Sequence, residues 1–226
     1  MQLLWKGQSC FSVMVQRTKQ EQVKIVIDPF DSSFVGLKLP SLEADLVLVT
    51  HDHADHNNTK AVKGSAVSAN KEPFVIADPG EYEIKDIFIR GISSFHDDVQ
   101  GKERGKNTIF IIEAEGMRLC HLGDFGQHEL TTEQIGQIGN IDVLFIPVGG
   151  TYTVDGKQAA VIVGQIEPRM VIPMHYALPN LKVKLAKVDD FLASMGVKNV
   201  EPQGKFNVKM RDFPVEGITV TILKPG

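Results

Sequence analysis

The segment Val49-Thr50-His51-Asp52-His53-Ala54-Asp55-His56 ends in three imidazoles and two carboxylates within six residues. It follows the apolar run Leu46-Val47-Leu48-Val49, whose length and β-branched content predict a buried strand. Imidazole and carboxylate together, with no thiolate beside them, suit Zn, Fe, Mn or Ni. His51 and His53 are two apart, so in an extended segment both side chains point to one side and suit a single ion. Asp55 and His56, after a turn, can face a neighbouring ion. Two ions sharing a bridging carboxylate lie about 3.5–4 Å apart and can hold a nucleophilic hydroxide between them. The chemistry that such a pair of ions would support is hydrolysis.

Three further groups of the same kind stand at the ends of strand-like runs. His96 follows IFIRGISSF, Asp124 closes RLCHLG, and His175 closes VIPM. Four separate strand ends thus deliver His or Asp. If they share one edge of a sheet sandwich, the ligands converge on loops that rigid sheets hold in place. The bland alternative, in which HDHADHNN is only a solvated loop, requires five histidines and two aspartates to reach strand ends by accident.

The elements that must position these groups are mostly short strands. SCFSVMVQ alternates, VKIVIDP is a buried run stopped by Asp28-Pro29, and ADLVLVT and FVIADPG follow the same plan. EIKDIFIRGISSF begins with polar–apolar alternation, as in a strand with one wet face. NTIFIIEAEGMRLCHLGD predicts a hairpin turning at Ala114-Glu115-Gly116. Thr131 to Gln134 offers a capping box, and Asp155 to Gln158 a cap for a helix over 158–166. IDVLFIPVGG and RMVIPMHY predict strands, KVDDFLASMG (187–196) a helix closed by glycine, and GITVTILKPG a strand. No repeat at a fixed period is present. The pattern predicts a β-rich α/β sandwich.

The chain has 226 residues, 42% hydrophobic and 23% charged, which suits one domain spanning residues 1–226. Its net charge of -4 argues against general nucleic-acid binding. Two cysteines, Cys10 and Cys120, are too few for a disulfide framework or a Cys-rich zinc site. With neither a signal-peptide pattern nor an apolar run of about 20 residues, the expectation is a cytoplasmic protein without membrane spans.

His51-x-His53-x-Asp55-His56 followed by His96, Asp124 and His175 resembles the five-part ligand pattern of the metallo-β-lactamase fold superfamily. The anchors are TH-x-H-x-DH after one apolar strand, GD after a second and PMHY after a third, and the resemblance covers essentially the whole chain. LGDFGQ, IPVGGTYTVD and VIPMHY read like the small metal-dependent hydrolases of that superfamily, a group that includes enzymes similar to ascorbate-6-phosphate lactonase. The resemblance implies a four-layer αββα sandwich with two divalent ions, zinc first and Mn or Fe as alternatives, at one edge of paired sheets. It implies that His51, His53 and His96 hold one ion, that Asp55, His56 and His175 hold the other, and that Asp124 bridges them. Asp55 would also orient the nucleophile and relay its proton. Asp28 matches a strand-end aspartate of the superfamily that supports a ligand loop; it reads equally as a turn residue before Pro29.

Other groups read less specifically. His121 has opposite strand parity to Asp124, which predicts a structural role, and Cys120 reads as a small core residue. His128 could line the mouth of the site or belong to a solvated loop. Thr151, Tyr152 and Thr153 could donate hydrogen bonds to a substrate oxygen, or form a turn and helix cap. Lys102, Arg104 and Lys106 could receive an anionic substrate, or form a solvated loop. The function expected is metal-dependent hydrolysis of a small anionic ester, lactone or phosphoester. A phosphodiesterase or nuclease of the same fold and a non-catalytic metal-binding module are the alternatives. The partner expected is a small-molecule substrate; a homo-oligomer is compatible with the resemblance and is not fixed by the sequence.

Overall fold

The computed structural model describes residues 1–65 and 71–226. In chain order the strands are β1 (Gln2–Gly7), β2 (Cys10–Gln16), β3 (Gln22–Ile27), β4 (Leu42–Ala44), β5 (Leu46–Leu48), β6 (Val62–Gly64), β7 (Phe74–Ile76) and β8 (Gly80–Ile84). They continue as β9 (Ile87–Phe95), β10 (Lys106–Ala114), β11 (Met117–His121), β12 (Val143–Pro147), β13 (Met170–Met174), β14 (Phe206–Asn207) and β15 (Thr219–Val220). The helices are α1 (Ser32–Val35), α2 (Thr132–Ile138), α3 (Gly156–Ile166) and α4 (Asp189–Ser194).

Two sheets face each other, ordered β14-β1-β2-β3-β5-β7 and β15-β13-β12-β11-β10-β9-β8. Alternation along the first sheet explains why it can be covered on both sides. Ile25, Ile27, Leu46 and Leu48 point into the main core, while Val26 and Val47 join a smaller cluster on the opposite face. The sheets interlock where Phe11 of β2 meets Phe145 of β12, ring centroids 4.4 Å apart. On the second sheet, β12 and β13 are buried at every position, as expected of parallel strands covered on two faces.

This is a mixed α/β sandwich of the kind the resemblance implies, with unequal outer layers. α3 buries Ala159, Ile162, Val163 and Ile166 along one stripe, and α2 and α4 accompany it. Over the first sheet, α1 has four residues, and Phe30, β4 and β6 supply the rest of the cover.

Capping boxes form as read, Thr131 with Gln134 on α2 and Asp155 with Gln158 on α3. The turn of the β10–β11 hairpin is Glu115-Gly116, both at positive φ, which matches the twist of the paired strands. Three expectations need correction. EIKDIFIRGISSF holds two strands, because Lys85 and Asp86 both adopt positive φ and fold β8 onto β9. The helix expected over 187–196 is shorter, since no side chain caps its start at Val188. The terminal strand is confined to Thr219–Val220; beyond it the backbone bonds irregularly, with Lys224 donating to the Gln203 carbonyl.

Candidate metal centre

Strand direction brings the predicted groups together. β3 and β5 are parallel, and so are β11, β12 and β13. β9 is antiparallel to β10, which is antiparallel to β11, so β9 runs with β11. The carboxyl ends of these strands all reach one edge. Asp28 follows β3, the 51–56 loop follows β5, His96 follows β9, Asp124 follows β11 and His175 follows β13. Asp28 and His175 take left-handed backbone, φ 48° and 51°, conformations that Asp and His tolerate better than most residues.

All seven predicted ligands converge. His51, His53 and His96 form one group, and Asp55, His56, Asp124 and His175 a second; within each, the donor atoms lie within 4.8 Å of one another. Asp124 reaches both. Its Oδ2 is 3.2 Å from His56 Nε2, 3.4 Å from His175 Nε2 and 3.4 Å from His96 Nε2. Asp55 Oδ2 is 3.6 Å from His56 Nε2 and 4.0 Å from His175 Nε2.

The route to this convergence differs from the expected one in one respect. His51 and His53 do not lie in an extended segment. His53 N–H donates to the His51 carbonyl at 3.2 Å and His56 N–H to that of His53 at 2.9 Å, so the loop coils. The rings still meet, with centroids 4.6 Å apart.

Hydrogen bonds behind the cluster set the direction of its lone pairs. Thr50 Oγ1 donates its one proton to Asp28 Oδ2 at 2.8 Å, so it must accept from His51 Nδ1–H at 3.0 Å. His51 Nε2 is then a bare lone pair. His56 Nδ1–H donates to Asp28 Oδ2 at 2.9 Å, which likewise turns its Nε2 toward Asp124. His51 Nε2 is buried without a hydrogen-bond partner in the protein, and His56 Nε2 has Asp124 Oδ2 at 3.2 Å. Buried lone pairs and carboxylate oxygens converging in this way are stable around a cation and costly without one, so the donor set fits a divalent metal.

Electrostatics reflect the same crowding. Burial, reinforced by His56, pushes the His51 imidazole down to about 2, and burial lowers His96 and His121. His56 behaves oppositely: burial opposes its charge, but Asp124 and Asp28 raise it well above the usual range. Burial also opposes ionisation of Asp124, yet His175 and His56 hold it well below the ordinary carboxylate value.

These shifts give the metal-free protein a stability optimum near neutrality. Unfolded histidines titrate at about 6.5. Below that pH the unfolded chain takes up protons that folded His51, His96 and His121 refuse, so stability falls as pH falls. The His56 contribution is fully present below about 6.5 and lost as pH rises through its folded value. Melting of chelator-treated protein should therefore peak near about pH 7 and fall more steeply toward acid. A melting temperature still rising from about pH 7 to 9 would contradict the raised pKa of His56.

The remaining candidates separate. His121 is structural: its Nε2 donates to the Ser9 carbonyl at 2.9 Å, and Gly123 N–H donates to its Nδ1 at 3.1 Å. Cys120 is buried in the main core. His128 is a surface residue, 68% exposed and paired with Asp98 at 2.8 Å. Thr151 is exposed, and Thr153 Oγ1 donates to the Val154 carbonyl at 3.2 Å, which leaves Tyr152 as the member of that turn bordering the site. A cavity of about 430 Å³ opens over the cluster, bordered by Asp55, His96 and Asp124 together with Tyr152, Arg104 and Phe34. Arg104 thus reaches the site, whereas Lys102 is exposed and Lys106 borders a neighbouring cavity.

Sequence reasoning passed over the residues that brace the site. Asn107 Nδ2 donates to Ser94 Oγ and the Leu122 carbonyl, while its Oδ1 accepts the Asp124 N–H at 3.0 Å. Ser9 Oγ donates to Asp124 Oδ1 at 3.2 Å from the β1–β2 turn. Glycine was the signal available. Gly123 sits at φ +58°, and a Cβ there would meet Asn107 Oδ1 at 2.4 Å; one on Gly149 would meet the His175 carbonyl at 2.1 Å.

Comparison with known proteins agrees with this geometry. Residues 2–175 match the family described as "Beta-lactamase superfamily domain", and the chain belongs to that family. A UPF0173 metal-dependent hydrolase of Thermoplasma acidophilum is 30% identical over 194 residues, covering 78% of this chain and 83% of the relative. One from Thermococcus onnurineus is 33% identical over 175 residues, covering 68% and 77%. A crystal structure of a metallo-β-lactamase superfamily protein from Thermotoga maritima superimposes with a TM-score of 0.75 at 34% identity, covering 99% of each chain. The chain is therefore a metal-dependent hydrolase of the metallo-β-lactamase superfamily. Among the described residues, no helix is long and apolar enough to cross a membrane.

Proposed function

We propose that the seven His and Asp residues hold two divalent ions, zinc first, and that the protein hydrolyses a small anionic ester, lactone or phosphoester. The observation that carries this reading is Asp124 Oδ2 within 3.4 Å of the Nε2 atoms of His56, His96 and His175, a placement suited to a carboxylate shared by two ions. Bound there, the ions supply Lewis acidity and lower the pKa of water toward about 7. The chain's own residues do the rest. His51, His53 and His96 would hold one ion, Asp55, His56 and His175 the other. Asp28 and Thr50 fix the tautomers of His56 and His51. Asp55, partly exposed at the cavity floor with 14% of its side chain accessible, faces the substrate side and is the carboxylate placed to take a proton there. Asp52, Asp55 and Asp124 bring negative charge to the cavity, which bound ions would offset and so admit an anionic substrate. The related hydrolases from Thermoplasma and Thermococcus support the reaction type.

Elemental analysis of protein purified without added metal or chelator tests the reading. About two ions per chain are expected, with hydrolysis of small lactones and esters that chelation abolishes and the same metal restores. One ion per chain at saturation would refute the paired site. Two ions without turnover of any ester, lactone or phosphodiester would favour the binding-module alternative.

A further inference from the structure

Arginine usage singles out one side chain. Arg17 pairs with Glu21 and Asp86, Arg90 with Glu81, Arg118 with Glu113, Arg169 with Asp142 and Arg211 with Asp212. Among the described residues, Arg104 has no carboxylate partner; its guanidinium instead lies over the Tyr152 ring, 4.9 Å from the centroid. A cation on an aromatic face keeps its N–H fork free for a planar oxyanion. Arg104 borders both the cavity over Asp55, His96 and Asp124 and the adjoining one, of about 670 Å³, beside His51 and His53.

The backbone under Arg104 is built to hold it. Asp97, next to His96, is buried and turns the following loop around its carboxylate. Oδ1 accepts the N–H groups of Val99 and Gly101, at 3.0 and 2.6 Å, and Oδ2 those of Glu103 and Arg104, at 3.0 and 2.8 Å. His96 N–H then donates to the Gly105 carbonyl at 3.1 Å, closing the loop on the residue that enters the cluster. One acidic side chain therefore couples the placement of Arg104 to that of His96. Such preorganisation lowers the ordering cost of binding.

We propose that Arg104, braced by Tyr152, is the specificity residue of this site, taking a carboxylate or phosphate group of the substrate while the bond to be cleaved lies over the His/Asp cluster. The proposal rests on the hydrolase reading above and names the part of the substrate that the site recognises.

The test uses the metal-loaded full chain and its Arg104→Gln, Arg104→Lys and Lys102→Gln variants, with ion content and melting checked for each. Two measurements are made: titration calorimetry with inorganic phosphate, and kcat/KM for γ-butyrolactone and for the same ring bearing a carboxylate. Arg104→Gln should weaken phosphate binding about tenfold, the low end for a hydrogen bond to a charged group, and lower kcat/KM for the carboxylated lactone similarly. The neutral lactone should change by less than about twofold. Arg104→Lys should fall between, keeping charge without the fork, and Lys102→Gln, at an exposed position of the same loop, should match the parent. Unchanged or absent phosphate binding, or equal losses on both lactones, would overturn the proposal. If neither lactone is turned over, the hydrolase reading loses support, while the phosphate titration still decides the role of Arg104.

Discussion

Alanine at Asp124 should lower metal retention and hydrolysis together, each by at least about a hundredfold; partners that merely support a ligand already cost 10–100-fold when removed. Three imidazole nitrogens crowd within 3.4 Å of its Oδ2, and its Oδ1 is anchored by Ser9 at 3.2 Å. Losing that oxygen removes the atom that reaches both ligand groups. An Asp124→Asn protein keeps the shape and one oxygen but offers no anionic charge to a bound cation. It should retain more metal than the alanine variant and still fall well short of the parent. Ion counts after dialysis, paired with kcat/KM on a small lactone, decide the matter. An alanine variant with two ions and undiminished turnover would end the assignment of Asp124 as the shared ligand.

The convergence of these side chains was legible because it rests on local pattern. An apolar strand followed by His or Asp recurs at Leu48, Phe95, His121 and Met174, and parallel strands must release such residues at one edge. The capping boxes of α2 and α3 were legible for the same reason, a cap and its partner being three residues apart. Positions that failed depend on distant atoms. Asn107 looks like the start of a strand in NTIFII, yet its side chain joins three segments because β9 and β11 flank β10. Ser9 is an ordinary turn residue until the first sheet folds over Asp124.

The extended reading of His51-x-His53 failed for a related reason. Period-two spacing predicts orientation only where a ladder holds the backbone straight, and past Leu48 the chain has left β5. The turn at Lys85-Asp86 was hidden because neither residue is the glycine or asparagine that usually marks such turns. Arg104 was legible only as part of a charged loop; that it has no carboxylate partner among the described residues is visible only in coordinates.

Asp28 offers the second large effect, and it decides between the two readings its sequence position allowed. The residue is fully buried and accepts three hydrogen bonds, from Thr50 N–H, Thr50 Oγ1–H and His56 Nδ1–H, at 2.8, 2.8 and 2.9 Å. A turn residue before proline needs none of these. Asp28→Ala strands all three donors, at about 1–3 kcal/mol for each left unpaired, and frees His56 to place its proton on Nε2, where a metal would need the lone pair. Metal affinity by chelator competition should drop about 10–100-fold, with a lower melting temperature even in the metal-free protein. Asp28→Asn separates the two effects. Asparagine accepts the left-handed backbone at φ 48° and can keep part of the hydrogen bonding, so the fold should survive with a smaller loss of stability. It lacks the charge that holds the His56 proton on Nδ1, so metal affinity should still fall about tenfold. Parent-like affinity in both variants would return Asp28 to the status of a turn residue.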